Sequence, residues 1–160
     1  MTCRHSPNAR NRAAARGFTL IEVALCLAVI GVLASAAVPT WQSQIRQARR
    51  ADAYVAIGLV HQAQERWRAM APAYATRFGP EGLALAPVSP LGHYTLRLEG
   101  AASGAAEGYV VTATARGSQA GDRACAHIRM VVDGADLRFE SAPSAGPDNG
   151  TAANRRCWGR

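Results

Sequence analysis

From Phe18 to Val38 the chain is apolar at nearly every position, and from Val23 onward that stretch holds no charge. These 21 residues predict a helix about 31 Å long, close to the hydrocarbon thickness of a bilayer. The pattern then changes. Trp41, Ile45, Ala48, Val55, Leu59, Ala63, Trp67 and Met70 recur three, four or seven residues apart, which predicts an amphipathic helix packed on a sheet through that stripe. Pro39 joins the two halves and removes one backbone hydrogen bond between them. Pro72 predicts where the helix stops. Residues 71–92, rich in Pro, Gly and Ala, read as a loop. A period of two follows: Tyr94, Leu96 and Leu98 alternate with Thr95, Arg97 and Glu99, the pattern of a half-buried strand. Tyr109 to Ala115 predicts a second strand, and Ile128, Met130 and Val132 mark a third. Asp133-Gly134 signals a turn, with a short fourth strand at Leu137 to Phe139. Residues 141–156 read as a surface loop. The architecture expected is α+β, a long amino-terminal helix laid across a small antiparallel meander.

Charge sharpens the amino-terminal reading. All 18 basic residues are arginine and the formal charge is +7. Arg4, Arg10, Arg12 and Arg16 precede the apolar segment with no acid among them, the composition of a targeting leader rather than of a nucleic-acid tail. From Phe18 onward 14 arginines face 11 acids. The leader arginines favour a cytoplasmic amino terminus. Glu22 is the anomaly, because a carboxylate at the mouth of a membrane-length helix is costly without a partner. Ala34-Ser35-Ala36 also fits a signal-peptide cleavage site, and a plain signal anchor is another reading. Glu22 argues against both, since neither gains from a carboxylate at its entrance.

The run Arg16-Gly17-Phe18-Thr19-Leu20-Ile21-Glu22 strongly resembles the amino terminus of type IV pilins and pseudopilins. The resemblance implies that a prepilin peptidase cuts between Gly17 and Phe18 and methylates the new amine of Phe18. It also implies that Glu22 is the family's glutamate, and that Gly31 and Pro39 are places where the helix loosens or kinks. In a filament the amine of one subunit would meet Glu22 of a neighbour in a low-dielectric core, where an unpaired carboxylate selects against the wrong register. The alternative is that Glu22 merely snorkels to the interface near its own helix's amino terminus. The segment Arg46 to Ile57, the Q-x-x-D-x-x-C spacing of Gln119, Asp122 and Cys125, and Cys157-Trp158 near the end resemble PilE-type minor pilins of the twitching-pilus system. The type IV pilin fold so implied has a disulfide-closed carboxy-terminal loop. The divisions expected are a leader, 1–17; a membrane and filament-core half-helix, 18–38; an amphipathic half, 39–70; and a globular head, 71–160.

Of the four cysteines, Cys3 falls in the leader and Cys26 in the apolar helix, where a thiol acts as a small hydrophobe. Cys125 and Cys157, an isolated pair outside the cytoplasm, read as a disulfide, with two free thiols or a metal pair as alternatives. No metalloprotease, P-loop, nucleophile-elbow or C-x-x-C motif occurs. His5, His61, His93 and His127 are scattered, and Asn149-Gly150-Thr151 is a sequon of little weight. No catalytic residue, metal or cofactor is expected, and the chain reads as a structural protein, not an enzyme. Arg155, Arg156 and Arg160 surround Trp158, combining phosphate-pairing charge with a stacking surface. This is a candidate DNA contact, set against a solvated basic terminus whose tryptophan packs on the disulfide.

What the resemblance implies is a minor subunit of a type IV pilus serving motility, adhesion or DNA uptake. It would sit first in the inner membrane with its head in the periplasm, then in the extracellular filament. Its partners would be other pilins, the prepilin peptidase and the assembly machinery. A type II secretion pseudopilin and a DNA-binding uptake pilin are the alternatives.

Overall fold

The computed structural model describes residues 18–143 and 150–159. The leader with Cys3, His5 and Gly17, the sequon residue Asn149, and Arg160 lie outside the described residues. The chain divides into two compact units at Pro39–Thr40.

Helix α1 spans Leu20–Arg68. Thr19 sets its start: the Glu22 amide donates to the Thr19 hydroxyl at 3.3 Å and to its carbonyl at 3.1 Å. That is half of a capping box, with Thr19 at the N-cap and Glu22 three residues on. In the first unit the helix is apolar on all sides, with a mean hydropathy of 2.4 over its most apolar 18-residue window, none of it buried. A helix apolar all round is stable only when something other than water surrounds it. The helix runs unbroken through Gly31 and Pro39. Pro39 has no N–H to give the Ser35 carbonyl, and a Cβ at Gly31 would meet nothing within 4 Å.

In the second unit α1 crosses a four-stranded antiparallel sheet, ordered β1 (Tyr94–Ala101), β2 (Gly104–Ala115), β3 (His127–Asp133) and β4 (Asp136–Ala142). Alternation decides the faces. Leu96, Ala113, Ile128 and Ser141 stand opposite one another across the four strands, as do Leu98, Val111, Met130 and Phe139; these rows face α1. Arg97, Thr112, Arg129 and Glu140 form the matching row on the outer face. At Gly108 the Val132 carbonyl oxygen would lie 2.0 Å from a Cβ, so the close approach of β2 to β3 requires glycine there.

The helix face turned to the sheet differs from the stripe expected. Of that stripe Ala63 is buried and Trp67 packs against the core, but Trp41, Val55, Leu59 and Met70 are exposed, and Ala53, Ala56, Ile57 and Val60 are buried in their stead with Tyr94, Tyr109 and Val111. Small side chains let the helix backbone lie close on the sheet, and dense contact rather than side-chain size decides which face is covered. The helix also stops at Arg68, two residues before the expected end. The 71–92 segment is tied down twice. Gln64 both donates to and accepts from the backbone of Ala75, at 2.7 and 2.9 Å. The buried Asp52 carboxylate accepts from the Ser89 hydroxyl at 2.5 Å and from the amides of Leu91 at 2.9 Å and His93 at 3.2 Å.

The region expected as a loop over 141–156 contains a second helix, α2 (Thr151–Trp158). Its sequence signals are modest. Alanine and arginine favour helix, and Gly159 closes it in the left-handed conformation, its N–H bonded to the Arg155 carbonyl. Helix α2 is bonded to β4: the Asn154 amide donates to the Phe139 carbonyl at 2.8 Å and the Trp158 indole to the Glu140 carbonyl at 3.0 Å.

Candidate functional site

Between β2 and β3 the chain makes two 3-10 turns, Gly117–Gly121 and Arg123–Cys125. They explain the Q-x-x-D-x-x-C spacing. The amide of Gln119 bonds the Arg116 carbonyl, that of Asp122 the Gln119 carbonyl, and that of Cys125 the Asp122 carbonyl. With three residues per turn, residues 119, 122 and 125 fall on one face. All three are buried, while Ala120, Gly121 and Arg123 between them are exposed.

Each buried residue anchors the turn differently. Cys125 is bonded to Cys157 with a Cα–Cα distance of 5.6 Å, so the expected pair forms. Asp122 takes the Arg50 guanidinium of α1 in a two-pronged ion pair, at 2.7 Å from Nε and 2.9 Å from Nη2. The third arm of Arg50, Nη1, donates to the Arg156 carbonyl on α2 at 2.7 Å. Gln119 donates from Nε2 to the Arg46 carbonyl and to the Tyr94 hydroxyl, both at 3.0 Å. The Tyr54 hydroxyl donates to the Cys157 carbonyl. A polar network thus locks α1, both 3-10 turns and α2 together, and fork-to-carboxylate geometry makes the ion pair its strongest link.

The network shapes the titration of its tyrosines. Burial pushes Tyr94 up to about 12, with Gln119 pulling the other way, and burial also raises Tyr54 and Tyr109. A tyrosine raised in the fold binds its proton more tightly there than in the unfolded chain, where it titrates near 10. Its stabilisation is complete below about pH 10 and is lost as pH rises toward 12. For Tyr94 alone this amounts to about 3 kcal/mol. Melting temperatures recorded from pH 8 to 12, alongside tyrosinate absorbance, are expected to stay level to about pH 10 and then fall steeply.

Around this network the outward-facing charge is almost entirely positive. Arg46 and Arg49 project from α1. Arg49 Nη1 donates to the Ser118 hydroxyl at 2.7 Å, and Arg46 Nη1 would lie 3.7 Å from a Cβ on Gly121. Arg116 and Arg123 flank the first 3-10 turn, both exposed, and Arg156 with Arg123 lines a cleft beside Ala124 and Ala153. Arg155 is exposed next to it. No acid among the described residues pairs with any of these six; Asp122, the one acid in the turns, is held by Arg50. The outer sheet face is different: there Arg97 pairs with Glu99, Arg129 with Glu140, and Arg138 with Asp136.

Trp158 is not an open stacking platform. Its ring stacks on Tyr54 at 5.1 Å and meets Phe139 edge-on at 4.7 Å, with its indole N–H bonded to β4. The two neighbours hold the ring within the head, and of the expected terminal cluster the described charges Arg155 and Arg156 remain outward. Sequence reading placed those two but missed Arg46, Arg49, Arg116 and Arg123, which lie 30 residues or more away in the chain and join them only through the 3-10 turns. The histidines do other work. His61 Nδ1 lies 2.6 Å from the Tyr109 hydroxyl, and His127, 3.2 Å from Thr114, is lowered by burial. Among the described residues no cluster of His, Cys, Asp and Glu could hold a metal. Phe18 and Glu22 are exposed in the single chain.

Two family models match in succession. Residues 12–38 match the prokaryotic N-terminal methylation motif, and residues 39–129 match the family described as type IV minor pilin ComP, DNA uptake sequence receptor. No curated protein matches the chain. The second match covers 91 of the 160 residues and contains both 3-10 turns with the network residues Arg50, Gln119 and Asp122. With the amino-terminal methylation motif in front and the helix-on-sheet fold behind it, the chain belongs to the type IV minor pilin ComP family.

Proposed function

We propose that this chain is a DNA-binding minor subunit of a type IV pilus, acting as a structural and capture protein without catalysis. The observation that carries the reading is the arginine surface around the 3-10 turns, six guanidinium groups that no acid among the described residues pairs with. Such a surface attracts polyphosphate and holds it by releasing condensed counterions. The description of the matched family as a DNA uptake sequence receptor supports the same reading over a twitching subunit or a secretion pseudopilin.

The route to the filament is part of the proposal. The prepilin peptidase cuts after Gly17 and methylates Phe18. Residues 18–38 anchor the subunit in the inner membrane with the head in the periplasm. The assembly machinery then delivers it to the extracellular filament. Glu22, exposed on the single chain, pairs with the Phe18 amine of a neighbour in the apolar core. Gly31 and Pro39, where the helix has an open position and a missing donor, are the points at which it bends to fit. Glu22→Gln keeps the shape and removes the charge. Its expected outcome is normal cleavage and methylation by mass spectrometry with loss from sheared pili; undiminished incorporation would remove the pairing role.

DNA binding is tested by titrating the detergent-solubilised mature chain against duplex DNA at rising salt. With about five phosphates engaged, log K against log salt is expected to have a slope near −4.5. Arg123→Ala and Arg156→Ala are each expected to flatten it by about 1. A slope near zero, or one unmoved by either change, would sink the reading.

A further inference from the structure

The arginine surface begins where the apolar segment ends. Trp41, three residues beyond Val38, is 68 % exposed. No acid occurs between Glu22 and Asp52, and Asp52 is consumed internally by Ser89, Leu91 and His93. Arg46 is the eighth residue after Val38, a tether that reaches about 29 Å at most even when fully extended. A wet-faced tryptophan next to an apolar span is the residue type that settles at the headgroup level of a bilayer. Arginines held within this reach of anionic lipid are attracted to it, each gaining about five-fold in residence.

We propose that, in the anchored subunit, Trp41, Arg46, Arg49, Arg116 and Arg123 form a docking surface for the phosphates of anionic phospholipids in the leaflet from which the head emerges. The inference rests on the reading that residues 18–38 span the membrane. Trp41 enters the interface, and Arg46 and Arg49 place the 3-10 turns against the headgroups. Arg116 and Arg123 are presented by those same turns, which the Arg50–Asp122 pair and the disulfide hold rigid. Arg97 and Arg138 on the outer sheet face, each beside its own acid, take no part. The surface overlaps the one assigned to DNA, so docking on lipid keeps the two polyanions from being held at once.

The chain from Phe18 onward contains no lysine, and guanidinium accessibility is read directly by phenylglyoxal labelling and mass spectrometry. The full mature chain is placed in nanodiscs of phosphatidylcholine, with and without one third phosphatidylglycerol. Labelling of Arg46, Arg49, Arg116 and Arg123 is expected to slow about five-fold in the anionic discs and to recover in 0.5 M salt (about a 4 Å screening length), while Arg97 and Arg138 keep their rates. Equal labelling in both discs, or a uniform slowing of every arginine, overturns the proposal. Protection by added duplex DNA in neutral discs, without protection by anionic lipid, also overturns it and leaves the DNA reading standing. A chain that fails to enter either disc removes the anchor and this inference with it, and leaves DNA binding in detergent unaffected.

Discussion

Arg50→Ala is expected to destabilise the head by about 3 to 5 kcal/mol, the cost of leaving a buried carboxylate without its counter-charge. Arg50 and Asp122 are both nearly inaccessible, with side chains 11 % and 6 % exposed, so water cannot replace the lost partner. The Arg156 carbonyl loses its donor at the same time. A head of this size has total stability of about 5 to 15 kcal/mol, so the variant sits near its folding threshold, with a melting temperature lowered by about 10 °C or more. The contrast lies in the double replacement. Arg50→Met with Asp122→Leu removes both charges and keeps the volume, and buried pairs so treated are often neutral or gain stability. The expected order is wild type close to the double variant and both far above either single one. A double variant as unstable as Arg50→Ala would show that the carbonyl contact, not the ion pair, holds the turn.

Cys157→Ser is expected to lower stability by about 3 kcal/mol. The bridge from Cys125 closes a loop of 31 intervening residues, and releasing it restores that freedom to the unfolded chain. The loss should not add to that of Arg50→Ala. Arg50 and Tyr54 bond the carbonyls of Arg156 and Cys157, so both variants release the same end of α2, and residues in one network couple. Melting of the two single variants and their combination, under identical detergent conditions, is expected to show a combined loss smaller than the sum. Strict additivity would separate the bridge from the ion pair.

How much of this was legible in the sequence depends on how each feature is encoded. The amino-terminal helix was readable as an unbroken apolar run, although it begins at Leu20, after the Thr19 cap, and not at Phe18. The four strands were readable as period-two alternation, though each proved longer than the apolar core that announced it: β1 continues to Ala101 and β2 begins at Gly104, where small residues carry no alternation. The face of α1 was misphased because large side chains such as Trp41 and Leu59 dominate a periodicity count, while alanines make the close contact. Helix α2 was hidden by the Ser, Gly and Pro residues before it. The candidate site was half readable: Arg155 and Arg156 announce themselves as neighbours, but Arg46, Arg49, Arg116 and Arg123 become neighbours only once a 3-10 geometry folds Gln119, Asp122 and Cys125 inward. The Q-x-x-D-x-x-C spacing held that information, and its period of three was the readable sign of the turn.

The hold of α2 on β4 bears on how this protein would fail. A bare strand edge is a template on which another chain can add. Here β4 is the outermost strand, and Asn154 and Trp158 bond its Phe139 and Glu140 carbonyls from a helix held in place by Cys157. Reduction therefore does more than loosen a loop: it frees a strand whose neighbours on the inner face are apolar. A chain whose thiols were still reduced would carry that strand free for pairing with another chain.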